Sequence, residues 1–286
     1  MIMASPRPRY DRIVSLVLLV LLGLAVVFFI DINPNILRAR LGGDLPVITI
    51  SWLLIASLVV ITSTGADVFI RTHPEMQTRA LPAIRIGPVA FELVPEFWIL
   101  PSFAIIASFA FFRLFSASLD ALAFIIALVA AGALLFAALI GQHYGLDRRP
   151  ATQQSARLVL QAITLFLAFA VFSAVYYARL RTLYSAALIG TTGTLLAYAL
   201  LHWSRARTRP FLLCGTVGLM LAEATWALNY WSASFLIGGA LLLVIFYVVI
   251  GLLQSYLEQR MHGRVLLEYS LLGSVLLALL VYVTFR

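Results

Sequence analysis

The residue best placed to do chemistry is a single carboxylate set deep in an apolar run, Glu223 in Leu219-Met-Leu-Ala-Glu-Ala-Thr-Trp226. At the centre of a bilayer such a group costs about 2.5–3.5 kcal/mol, so it is expected to face the bundle interior or a water-filled cavity. Helical spacing puts Thr216 and Tyr230 on its stripe at i−7 and i+7, with Met220 and Trp226 beside it. Asn229 is close in sequence but nearer the helix end. No arginine lies at matching depth in any apolar run, so the carboxyl is expected to be neutral or bonded to hydroxyls and amides. That constellation could bind a proton or cation, or anchor a polar ligand. The competing reading is an interhelical hydrogen bond that fixes packing.

Other polar residues form weaker candidates. Arg157 and Gln161 are four residues apart and share a helix face near one end of their span. Asp67 closes the second apolar run. Arg113 and Asp120 flank one turn and could pair across it, in a structural role. His73, His143, His202 and His262 all fall near span ends, on the same side of the membrane by the topology below. A haem or metal site needs two or more of them to converge, and none is mid-span, where a membrane haem takes its axial ligands. No metal site and no cofactor is therefore expected. His143 and His202, each followed by arginines and a proline, remain candidates for contact with a phosphate headgroup.

Composition removes several chemistries. All 20 basic residues are arginine. Without lysine there is no Schiff base to retinal or pyridoxal and no Walker-type phosphate loop. The one cysteine, Cys214, sits in an apolar segment and cannot form a disulfide or a thiolate cluster within the chain. There is no HExxH, no Gly-x-Ser-x-Gly and no paired-aspartate motif for a prenyl diphosphate. No catalytic residue is assigned. The net charge of +8 resides in helix ends and short links, where arginines orient the chain and meet anionic headgroups. No basic stripe with interleaved aromatics points to nucleic acid.

The elements that must carry these residues are membrane spans. The chain of 286 residues is 63% hydrophobic and 11% charged, and its mean hydropathy is +1.02. No soluble fold hides so much apolar surface, so the fold is expected to be an all-α, polytopic transmembrane bundle forming one integral membrane domain over 1–286. Nine runs approach bilayer length: 13–30, 47–68, 97–114, 119–140, 157–177, 183–201, 211–230, 234–253 and 266–285. Arginines in alternate ends and links number 3, 3, 3, 3 and 2 on one side and 2, 1, 2, 0 and 1 on the other. The positive-inside rule then puts the N-terminus in the cytoplasm and the C-terminus outside. Trp52, Trp98, Trp203 and Trp231 fall near span ends, as interfacial aromatics do. Arg7, Arg9 and Arg12 precede the first run, which is too long for a signal-peptide core and has no small-x-small cleavage site after it, so it reads as an uncleaved span.

Only the segment 70–96 is long enough to have its own structure. Prolines at 74, 82, 88 and 95, and Pro101 just beyond, preclude a continuous helix. Residues 83–93 alternate around Gly87-Pro88, which suits a small hairpin or an extended strip on the headgroups. Several spans are rich in small residues, Ala130, Ala131, Gly132 and Ala133 in the fourth, Gly190 and Gly193 in the sixth and Gly215, Gly218 and Ala222 in the seventh, and these permit close helix approach within the chain or against a partner.

Sparse polarity and no catalytic constellation make the leading expectation a non-catalytic accessory or scaffold subunit of the bacterial cytoplasmic membrane, whose partners are lipid and other membrane subunits. Two alternatives are a transporter or channel for a small or apolar solute, proton-coupled through Glu223, and a lipid-processing enzyme in which His143, His202 and neighbouring arginines surround one pocket.

Overall fold

A computed structural model describes residues 10–32, 38–39, 48–77, 83–86, 89–92, 94–115, 120–147, 149–203, 210–231, 234–259 and 261–285. Their helices are α1 (Tyr10–Ile32), α2 (Ile50–Arg71), the short α3 (Pro74–Gln77), α4 (Ile99–Phe115), α5 (Ala121–Gly145), α6 (Pro150–Tyr177), α7 (Thr182–Leu201), α8 (Pro210–Leu228), α9 (Phe235–Leu257) and α10 (Gly263–Phe285). Eight are long and apolar enough to cross a membrane, which makes the chain a multi-pass membrane protein. In α10 the apolar stretch of described side chains covers only Leu266–Leu279. Two short antiparallel pairs accompany the helices: β1 (Arg38–Ala39) with β2 (Ile48–Thr49), and β3 (Ala83–Ile86) with β4 (Val89–Glu92). The second pair, with Ala83 opposite Glu92 and Ile86 opposite Val89, realises the hairpin alternative for the proline-rich segment. Gly87, Pro88 and Leu93 lie outside the described residues, as do Arg148 and 204–209 of the two histidine-arginine links.

Proline fixes several helix starts. Pro150 and Pro210 open α6 and α8, and Pro74 opens α3, positions where the missing N–H has no intrahelical acceptor to lose. Pro101 sits in the first turn of α4 for the same reason, so it does not interrupt the span.

The chain divides into two compact units, Met1–Ile163 and Thr164–Arg286, with the boundary inside α6. In the first, α1, α2, α4 and α5 run alternately up and down. At one end the Phe28, Phe112 and Phe124 rings cluster, Phe28 stacked on Phe124 at 4.4 Å. At the other, Tyr10 and Tyr144 hydroxyls join α1 to α5 at 3.0 Å. Near the start of α4, Ser102 Oγ donates to Trp98 O (2.6 Å), so Ser63 is the donor in the 2.9 Å bond between α2 and α4. Arg113 lies over the Trp52 ring, 5.7 Å from its centroid.

In the second unit the tightest crossing joins α7 to α8. A Cβ at Gly190 would lie 2.9 Å from Gly218 O and 3.2 Å from Ala222 Cβ, and one at Gly218 would lie 2.5 Å from Gly190 O. Gly190, Gly218 and Ala222 therefore serve packing within the chain, the two glycines backbone against backbone, where lipid gives no hydrophobic reason for helices to meet. Gly238 and Gly239 of α9 likewise receive Tyr176 and Ser173 of α6, and Gly251 receives the Tyr269 ring of α10. The Tyr176 hydroxyl reaches Leu228 O (3.0 Å) and Trp231 O (3.1 Å), tying α6 to the end of α8.

Candidate functional site

Two polar features stand out, one in each unit. The first is the outer face of α8. Cys214, Val217, Gly218, Leu221, Thr225 and Leu228 form its buried side. The opposite side, Leu212, Thr216, Leu219, Met220, Glu223 and Trp226, is exposed, and Asn229 and Tyr230 continue it in the turn that follows. This corrects the expectation that Glu223 faces the interior. The side chains on which α8 packs against its neighbours leave no place for a carboxylate, and the tight glycine crossing turns Glu223 away from α7. Among the described residues it has no hydrogen-bond or ion-pair partner.

Its stripe is otherwise as the spacing implies. Thr216 and Tyr230 share its face, but Thr216 Oγ1 donates to Leu213 O (2.7 Å) within its own helix, and Tyr230 is 83% exposed. Asn229 N–H donates to Thr225 O (3.0 Å), which closes the helix. The result is an apolar strip with a carboxylate in the middle and aromatic side chains at one end.

The second feature is a buried polar corner in the first unit, where α2, α3 and α5 end and α4 and α6 begin. His143 near the end of α5 packs on Phe69 (5.1 Å between ring centroids) and edge-to-face on His73 (4.7 Å, 76°). Both imidazoles are buried. Glu75 N–H donates to His73 Nδ1 (3.2 Å), which leaves the ring proton of a neutral His73 on Nε2. Burial holds the His73 imidazole below its ordinary pKa, against the negative charges of Glu75 and Asp147, which favour the protonated ring. Gln142 Nε2 donates to Phe97 O (3.3 Å), and Gln153 Nε2 donates to Gly145 O (3.2 Å). These amides satisfy carbonyls at helix ends that the helices cannot satisfy themselves. Asp67 accepts from Arg71 Nε at 2.6 Å, one turn away on α2.

The remaining candidates are scattered. Arg157 and Gln161 are half-buried one turn apart on α6. His202, in the second unit, lies 3.2 Å from Tyr198 O through Nδ1 and against the Trp203 ring at 4.4 Å. Among the described residues, no group of three or more His, Cys, Asp or Glu side chains converges as metal ligands would.

Residue spacing alone missed the contact of His73 with His143. The two are 70 positions apart, and only the shared membrane side and the alternating helix directions bring them to one corner.

Neither the curated proteins nor the solved structures compared with this chain gave a match. One family model matches residues 32–283, which include α2 to α9, nearly all of α10 and both polar features. On that match, the chain belongs to the family described as "Protein of unknown function (DUF5656)".

Proposed function

We propose that the protein is a non-catalytic accessory or scaffold subunit of a complex in the bacterial cytoplasmic membrane, spanning it nine times with the N-terminus inside. The observation that carries this reading is the exposed Glu223 on the outer strip of α8. A carboxylate facing lipid at this depth costs about 2.5–3.5 kcal/mol. A partner helix bearing a hydroxyl, amide or guanidinium at matching depth removes that cost, and Leu219, Met220 and Trp226 supply an apolar rim for it. Met and Trp suit such a surface, one by adapting its shape and the other by area.

The same exposure weighs against a proton path through Glu223 in the single chain, because such a path runs inside a bundle or along water. The enzyme reading draws no support from His143, whose ring is buried against Phe69 and His73.

The test is photo-crosslinking in the native membrane from positions 219 and 226, with the buried position 217 as control. The expected product is one defined membrane protein linked from 219 and 226 and not from 217. Adducts to lipid alone from the strip would overturn the reading.

A further inference from the structure

The first unit holds a cleft of about 350 Å³ between α1 and α2, floored by Leu139 of α5. Its walls are Ile13, Leu16 and Leu19 on one side and Gly65, Val68 and Phe69 on the other. The hydroxyls at its edge are spent locally: Ser15 Oγ donates to Asp11 O (2.9 Å) and Thr64 Oγ1 to Val60 O (2.8 Å). The one charged group in the lining is Arg12, which is exposed and, among the described residues, has no acidic partner. Asp11 is its sequence neighbour, about 100° away around the helix.

From Arg12 to Leu19 the helix rises about 10 Å. The cleft therefore runs from the start of the apolar segment toward its middle, with a cation at the outer end. Leu19 and Val68, 49% and 51% exposed, leave its side open to the membrane. A partner helix is about 10 Å across. A flexible hydrocarbon chain needs far less width.

We infer that this cleft is a binding site for an anionic phospholipid, with its phosphate at Arg12 and one acyl chain along Leu16, Leu19 and Val68. The site lies in the unit that does not carry α8, so it stands independently of the partner surface proposed there.

The test is native mass spectrometry of the full chain released from nanodiscs of equal phosphatidylglycerol and phosphatidylcholine. The expected result is one retained phosphatidylglycerol, favoured about fivefold over phosphatidylcholine, the factor one interfacial arginine provides. Arg12→Gln should abolish the preference and Arg12→Lys should keep it. Val68→Trp, which fills the cleft without touching charge, should reduce retention of both lipids. Far-UV circular dichroism of each variant confirms the fold. If folded Arg12→Gln keeps the preference, or folded Val68→Trp retains lipid as the parent does, the site is not this cleft. Displacement of the lipid by millimolar glycerol phosphate would also overturn it, by showing a site for a soluble anion.

Discussion

Replacing Gly218 by alanine should destabilise the second unit by about 2–3 kcal/mol. A Cβ there would sit 2.5 Å from Gly190 O, where ordinary contact begins at 3.4 Å, so α7 and α8 must separate by about 0.9 Å. The obstacle is a backbone carbonyl and cannot rotate aside. Thr194 Oγ1, which the new methyl also meets, must swing away and surrender its 2.9 Å bond to Gly190 O. Overpacking of this kind costs about 1–3 kcal/mol and the lost hydrogen bond about 0.5–1.5 kcal/mol. Alanine's better helix propensity returns about 0.5–1 kcal/mol. Gly215, three residues earlier on the same helix, has nothing within 4 Å of its would-be Cβ, so Gly215→Ala pays no steric cost and should be neutral or slightly stabilising. Reversible unfolding in mixed micelles by titration with dodecyl sulfate, followed by circular dichroism, measures both. Equal stability changes for the two variants would refute the claim that α7 and α8 meet backbone to backbone at Gly190 and Gly218.

Further consequences can be checked on the same purified protein. Because burial lowers the His73 pKa, the unfolded chain takes up a proton first as pH falls below about 6.5. Stability should be full above that value and decline toward the lowered folded pKa, and His73→Gln should flatten the dependence in thermal unfolding between about pH 5 and 8. Tyr176→Phe removes the hydroxyl that reaches Leu228 O and Trp231 O and should cost about 1–2 kcal/mol in the same denaturation assay. Gln259, just beyond α9, has φ 54°, a conformation glycine adopts freely, so Gln259→Gly should raise stability by about 0.5–1 kcal/mol. Glu223→Gln should leave the melting temperature of the isolated protein unchanged within error, since the carboxylate bonds to no described residue.

The long helices were readable because a run of some 20 apolar residues has few other solutions. Their ends were less so. The fifth span begins at Pro150 rather than 157, since Thr152, Gln153 and Gln154 extend the helix without adding hydropathy. Helix α5 runs on to Gly145 because Gln142 and His143 are buried against protein and find partners there. The facing of each helix was the least legible property. In lipid, the outer and inner sides of a span are equally apolar, so periodicity does not say which side meets protein. Energetic grounds alone therefore point Glu223 inward, and the close approach at Gly190 and Gly218 sends it outward. The small-residue spacing did point to that crossing, but not to which helix supplied the other half. Likewise His73 and His143 could be assigned to one membrane side, while their contact depends on how the ends of α2 and α5 meet.

The most direct test of the accessory-subunit account is gentle nanodisc purification from the native membrane of the parent chain and of Glu223→Gln, with mass spectrometry of all copurifying proteins. The account predicts a stoichiometric membrane-protein partner with the parent and its loss with Glu223→Gln at unchanged fold. Recovery of both proteins alone, together with solute flux in reconstituted vesicles that depends on Glu223, would contradict it.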